Sequence, residues 1–429
     1  MKILFDRITV MKEDGAVLNN AYLAVDGEKI SYLGEKKPEG KFDRVIDGTG
    51  KMLAPGFYNC HTHSAMTLFR GYAEDLPLDR WLTEKIFPAE DRLYPHAVYA
   101  ANMLAIAEMI RGGTCSVSDM YFFCDEMAKA VDETGIKANI GRSCCSFDES
   151  ITAETDYRFA ESVKYFKEYH NTANGRIKID MSIHAEYSIV PESCRYISAF
   201  AKENGLALQL HLSETRKEHN ACVAKRGITP TKFFEELGVL DVPVTAAHCV
   251  YLTNDDREIL RRHGATAVHN PASNLKLGSG VMPLAETIAA GVNVTLGTDG
   301  PSSNNQINIW REAYLAAILQ KGISGNTEMM KASDFIPLLT VNGAKAQGRD
   351  DCGKIAVGAK ADLVMIDLDD IPALPVYQIC DTFLYGADST CIRMNMVDGK
   401  ILYENGEFLT LDYEKVKADF KEVIRTYFD

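Results

Sequence analysis

The stretch LALQLHLSE, residues 206–214, decides how the chain is read. Side chains alternate across a strand, so Leu206, Leu208, Leu210 and Leu212 share one face while Ala207, Gln209 and His211 share the other. A leucine face suits a parallel strand covered by helices, and His211 then points inward from the strand's C-terminal end.

The same parity in VNVTLGTDG, residues 292–300, turns Val292, Val294 and Leu296 outward and Thr295, Gly297 and Asp299 inward. In GFYNCHTH, residues 56–63, His61 and His63 share a face. His248 closes PVTAAHCV and His184 closes IKIDMSIH. Six polar residues thus converge on one rim, where barrel enzymes build active sites from loops that vary without disturbing the core.

Eight short β-rich runs alternate with helical stretches: GFYNCHTH, TCSVSDM, IKANIGRS, IKIDMSIHAEYS, LALQLHLSE, PVTAAHCV, ATAVHNPASN and NVTLGTDG. Eight βα units predict an α/β chain with a TIM-type (β/α)8 barrel; a doubly wound open sheet is the alternative. Residues 1–55 carry strand-like runs with Asp26-Gly27 as a hairpin turn. Residues 350–429 repeat the style around Asp398-Gly399 before a helix near 413–427. The expected organisation is a discontinuous small β-domain, 1–55 with 350–429, and a barrel over 56–349. No repeat of 20 to 50 residues interrupts this pattern.

With 429 residues, 46% apolar, the chain can bury a large core. Its formal charge of −14 opposes the clustered Lys and Arg that nucleic acid or anionic lipid would require, and favours a small-molecule partner. MKILFDRITVMKEDG has no uninterrupted apolar core, so neither a secretion signal nor a membrane span is read there. Eleven cysteines without a C-x-x-C pair suggest reduced thiols and a cytoplasmic setting; a homo-oligomer is compatible with the sequence.

Three imidazoles and a carboxylate, His61, His63, His211 and Asp299, suit one divalent metal, zinc by donor type, with Fe2+ or Mn2+ also compatible. A metal-bound water has its pKa lowered from about 15.7 toward roughly 7. Glu214, three residues after His211, is placed to move that water's proton to a ring nitrogen, and His248 to orient the oxygen. Attack on an electron-poor carbon with loss of ammonia is hydrolytic deamination.

Taken in order, HTH, HLSET, AHCV, HNPASNLKLGSG and GTDGPSSNN resemble the amidohydrolase superfamily, particularly its 5-methylthioadenosine/S-adenosylhomocysteine deaminase group. The resemblance spans the barrel and both flanking β segments. It implies a mononuclear site with His61, His63, His211 and Asp299 as ligands, Glu214 as proton shuttle, His248 beside the hydroxide, and Asp299 relaying a proton to the departing amine. Binuclear relatives carry a lysine at the end of strand four; here that end reads SIHAEYS, which favours one metal.

The same resemblance implies a nucleoside pocket. Trp81 and Glu90 match the segment after strand one, with Glu90 accepting the ribose hydroxyls. His184 matches a purine-contacting histidine, and Arg142 matches an arginine suited to the carboxylate of a homocysteine tail. Some relatives have a second arginine where CCSFDES supplies Asp148 and Glu149, which favours methylthioadenosine, 5′-deoxyadenosine or adenosine over the homocysteine compound.

Other residues take ordinary roles. His269 is read as loop-shaping; His96, His170, His219 and His263 lie in or beside helices; Cys60 is expected to face the helices as a buried thiol. The competing functions are a guanine or other aminated-heterocycle hydrolase and a non-catalytic metal-binding scaffold.

Overall fold

Eight strands follow one another around a parallel barrel in the computed structural model, which describes residues 1–428. They are Phe57–Thr62, Thr114–Tyr121, Lys137–Arg142, Ile177–Ile183, Leu208–Leu212, Val244–His248, Thr266–His269 and Asn293–Leu296, the eight runs expected. Each pairs with its successor; Leu208 to Leu212, for instance, align with Val244 to His248. The last strand meets the first through Asp299 N–H donating to His61 O at 2.9 Å, and Thr298 N–H to Asn59 Oδ1 at 3.1 Å. This closure excludes the doubly wound sheet.

Parity explains the packing. Leu206, Leu208, Leu210 and Leu212 are buried in the main core with residues of the surrounding helices. Inside, Gln209 Nε2 donates to Asp180 Oδ2 at 3.0 Å and Asn139 Nδ2 to Asp180 Oδ1 at 3.1 Å, so these polar side chains pair with one another within the barrel. Below, Gln347 Nε2 donates to Ser118 Oγ at 3.1 Å and Arg349 to the carbonyls of Ala138 and Arg176. The segment after the helix Val341–Ala346 therefore floors the barrel.

Both chain ends enter a second, nine-stranded sheet. Lys51–Pro55 pairs antiparallel with Leu363–Asp367, joining the first ends of the chain to the last. The Asp398-Gly399 turn has φ of 47° and 71°, the left-handed pair of a tight hairpin. In the helix Tyr413–Tyr427, Val423 and Tyr427 pack with Ala97, Val98 and Ala101 of the barrel-side helix Pro95–Arg111. We propose the division 1–55 with 350–429 against 56–349, with the terminal helix of the first part reaching across to pack on the barrel. Among the described residues no helix is long and apolar enough to cross a membrane, and none of the cysteines is in a disulfide.

A buried ion pair clamps the sheet to the barrel floor. Lys137 Nζ lies 2.6 Å from Asp362 Oδ2 and 2.8 Å from Asp398 Oδ1, and Tyr58 Oη donates to Asp362 at 2.8 Å. Removing one partner strands a buried charge. Lys137→Ala should therefore lower unfolding free energy by about 3–5 kcal/mol in urea titrations. Lys2→Ala, which breaks the exposed Lys2–Asp26 pair, should change it by less than about 1 kcal/mol.

Candidate active site

His61 ends the first strand's inward face and His63 follows it; His211 lies in the fifth strand; Asp299 stands just beyond the eighth with φ 60°. Asp299 Oδ1 is 3.4 Å from His61 Nε2 and 3.3 Å from His63 Nε2, and His63 Nε2 is 3.3 Å from His211 Nε2. Zinc donors bond at about 2.0–2.1 Å, which puts tetrahedral neighbours about 3.4 Å apart.

The outer atoms fix the donors. His63 Nδ1 lies 2.5 Å from Met120 O and His211 Nδ1 2.6 Å from His184 O. A carbonyl accepts only from N–H, so each Nε2 turns a lone pair to the centre. His61 Nε2 is buried without a hydrogen-bond partner. Burial holds His61 down at about 4 and His211 well below the ordinary imidazole range, so both are neutral, as ligands must be. For Asp299, burial works upward, but His61 and the other histidines hold the carboxyl well below its usual range. An orphaned buried nitrogen beside two oriented imidazoles and a carboxylate fits a divalent ion.

Glu214 and His248 stand over this cluster, with Glu214 Oε2 3.8 Å from His248 Nε2. Thr215 caps the helix Arg216–Arg226, its Oγ1 accepting from Glu218 N–H at 3.1 Å, and Glu218 Oε2 accepts from Glu214 N–H at 2.8 Å. The cap thereby fixes the backbone of Glu214. His248 is in phase with Val244 and Ala246, which pack in the outer core, yet its φ of 75° turns the ring back to the centre. Burial opposes charge on His248, but Glu214 and Asp299 together raise its pKa.

One segment, 270–280, tethers Asp299, His248 and Glu214. Ser273 Oγ donates to Asp299 Oδ2 at 2.5 Å, Asn274 Oδ1 lies 2.8 Å from His248 Nδ1, and Ser279 Oγ donates to Glu214 Oε1 at 2.9 Å. Ser303 Oγ adds a second bond to Asp299 Oδ2, at 3.0 Å. Strand parity does not reveal these tethers; their trace in the sequence was the Asn- and Ser-rich motif HNPASNLKLGSG.

The adjoining cavity is lined by Trp81, Glu90, Tyr121, His184, Tyr187, Glu214 and Asp299 among others. Tyr121 Oη donates to Glu90 Oε1 at 2.7 Å, and burial pushes the Glu90 carboxyl up to about 7. His184 Nδ1 is 2.7 Å from Ser188 Oγ. Arg142 is the exception to the expected substrate set, for it does not line the cavity. It lies behind Phe122 and Ser143, its Nε donating to Glu161 Oε2 at 2.8 Å and its guanidinium over the Phe122 ring. His269 is fully buried and stands outside the group formed by His61, His63, His211, His248 and Asp299, with both ring nitrogens unpartnered. Cys60 is buried too, but among Tyr58, Val268, Ala344 and Cys352 and not in the main core under the outer helices; burial raises its thiol to about 12.

The amidohydrolase family model matches residues 52–402. A 5-methylthioadenosine/S-adenosylhomocysteine deaminase from Acetivibrio thermocellus is 41% identical over 98% of this chain and 97% of its own. A 5′-deoxyadenosine deaminase from Methanosarcina acetivorans is 38% identical over 95% and 94%. Among solved structures, an adenosine deaminase from Xanthomonas campestris with bound zinc superposes with a TM-score of 0.93 at 30% identity, covering 99% of this chain and 98% of that one.

Because Ser273 holds the carboxylate oxygen that faces away from the histidines, Ser273→Ala should weaken retention of a divalent ion about 10- to 100-fold in chelator competition. His269→Ala should leave retention unchanged.

Proposed function

This chain belongs to the amidohydrolase family, and on that premise we propose that it is a metal-dependent aminohydrolase that converts an adenosine derivative to the inosine product and ammonia. The observation that carries this reading is the set of distances of about 3.3–3.4 Å joining Asp299, His61, His63 and His211 at the mouth of a cavity whose wall holds Glu90. In this reading those four residues hold one divalent ion, zinc by donor type, with Fe2+ or Mn2+ compatible. Once bound, such an ion lowers the pKa of a coordinated water to roughly 7 and so supplies a nucleophile at neutral pH.

The chain's own groups handle the protons. Glu214, anchored through Ser279 and the Glu218 cap, accepts a proton from the nucleophile and delivers it to the purine ring nitrogen. His248, held at Nδ1 by Asn274, directs Nε2 toward Glu214 and steadies the attacking oxygen. Asp299, ionised at rest, takes the proton of the newly added hydroxyl as that oxygen becomes the product carbonyl and passes it to the amine, so that the C–N bond breaks and ammonia leaves. Trp81 forms an apolar wall, His184 meets the purine, and Glu90 accepts the ribose diol.

A free base such as guanine offers no diol to Glu90 and leaves it with Tyr121 alone, and a scaffold has no need of a tethered Glu214. Arg142, engaged by Glu161, supports methylthioadenosine, 5′-deoxyadenosine or adenosine ahead of the homocysteine compound. The free cysteines support a reducing, cytoplasmic setting.

Ammonia release by zinc-loaded protein tests this across adenosine, deoxyadenosine, methylthioadenosine, S-adenosylhomocysteine and guanine. One of the adenosine compounds should be turned over fastest, and Glu214→Gln should lower kcat about 10²- to 10⁴-fold while retaining zinc. No ammonia from any adenosine compound, or a Glu214→Gln protein as active as wild type, would sink the reading.

A further inference from the structure

Glu90 ends the helical run 78–90, whose middle, Trp81–Ile86, is wound as a π-helix and which has no side-chain cap at its start after Pro77. A run of this length, uncapped and π-wound at its middle, is marginal on its own, and its position must come from tertiary contacts. On the cavity side, Tyr121 holds the carboxylate itself. On the other side, Tyr427 Oη donates to the carbonyl of Ala89 at 2.7 Å, across 338 residues of sequence.

Tyr427 is the last residue of the terminal helix Tyr413–Tyr427 and is only 3% exposed. Its ring lies 5.8 Å from that of Phe69 and 6.3 Å from that of Tyr94, within the apolar cluster that includes Trp81, Ile86 and Ala89. A phenol in such surroundings is costly unless its hydroxyl is bonded, so the Ala89 carbonyl fixes the ring as firmly as the ring fixes the carbonyl.

We propose that Tyr427 is a positioning residue for Glu90: by gripping the adjacent carbonyl, the last turn of the terminal helix sets the direction in which the carboxylate meets the ribose diol, without touching substrate. This rests on the reading of Glu90 as the ribose acceptor. It also gives a role in binding to a helix that leaves the accessory sheet to reach the barrel.

Steady-state kinetics of the full-length, zinc-loaded protein with adenosine and with 2′,3′-dideoxyadenosine provide the test. Tyr427→Phe removes one oxygen and keeps the ring. It should raise KM for adenosine about three- to tenfold, as expected for one neutral hydrogen bond, and leave KM for the dideoxy compound unchanged. The kcat, zinc content and melting temperature should stay near wild type. Glu90→Gln should raise KM for adenosine alone, and adding Tyr427→Phe to it should cost nothing more. An equal rise for both nucleosides, or additive effects in the double variant, would overturn the positioning role while leaving Glu90 as the ribose acceptor. If Glu90→Gln treats the two nucleosides alike, the ribose reading fails and the proposal falls with it.

Discussion

The hydrogen bond from Asp299 N–H to His61 O does two jobs with one contact. It ties the end of the eighth barrel strand to the first, and it brings two donors from opposite ends of the barrel sequence into one cluster. A parallel barrel closes only when the strands' stagger matches, so the spacing of His61 and Asp299 is a consequence of closure. Gly297 marks how tight that junction is. A Cβ there would stand 2.3 Å from Asn270 Oδ1 and 2.8 Å from His61 Cβ, closer than such atoms approach.

The interior below the site is polar and cross-linked by hydrogen bonds, which is unusual for a core and instructive about its role. Asp180 accepts from Asn139 and Gln209, while Gln347 reaches up to Ser118 from the floor. Such a network fixes the strand register only if each member is paired, because an unmet buried polar group costs more than an apolar one would. The ion pair of Lys137 with Asp362 and Asp398 extends the same logic to the accessory sheet. The sheet is thus joined to the barrel through charge as well as through the continuous chain.

Much of this was legible in residues 206–214 and 292–300, because strand parity is a strict local rule and the leucine phase leaves no doubt about which face is covered. The eight strands and both ends' contribution to one sheet followed from runs and turns of ordinary kind. What escaped was set by nonlocal or exceptional geometry. His248 does reach the rim as expected, but through a left-handed backbone that its strand phase does not announce. The strand pairing is irregular between Asn59 and Thr62, and there Cys60 joins a different cluster from the one expected. Arg142 is withdrawn from the cavity by Glu161, a partner 19 residues on that a motif does not announce. The destination of the terminal helix depends on a surface assembled from the distant segments 65–73 and 86–101.

The tethering of Asp299, His248 and Glu214 by the single segment 270–280 carries an evolutionary consequence. A change in that segment displaces three groups together, so few substitutions there can be accepted one at a time, and their effects would compound out of proportion to their number. The wall bearing Trp81 and Glu90 is attached by separate contacts and shares none of those three bonds. Substrate preference can therefore drift along one stretch of chain while the chemical step stays under the custody of another, which is how a lineage of such barrels can exchange what it acts on before it changes what it does.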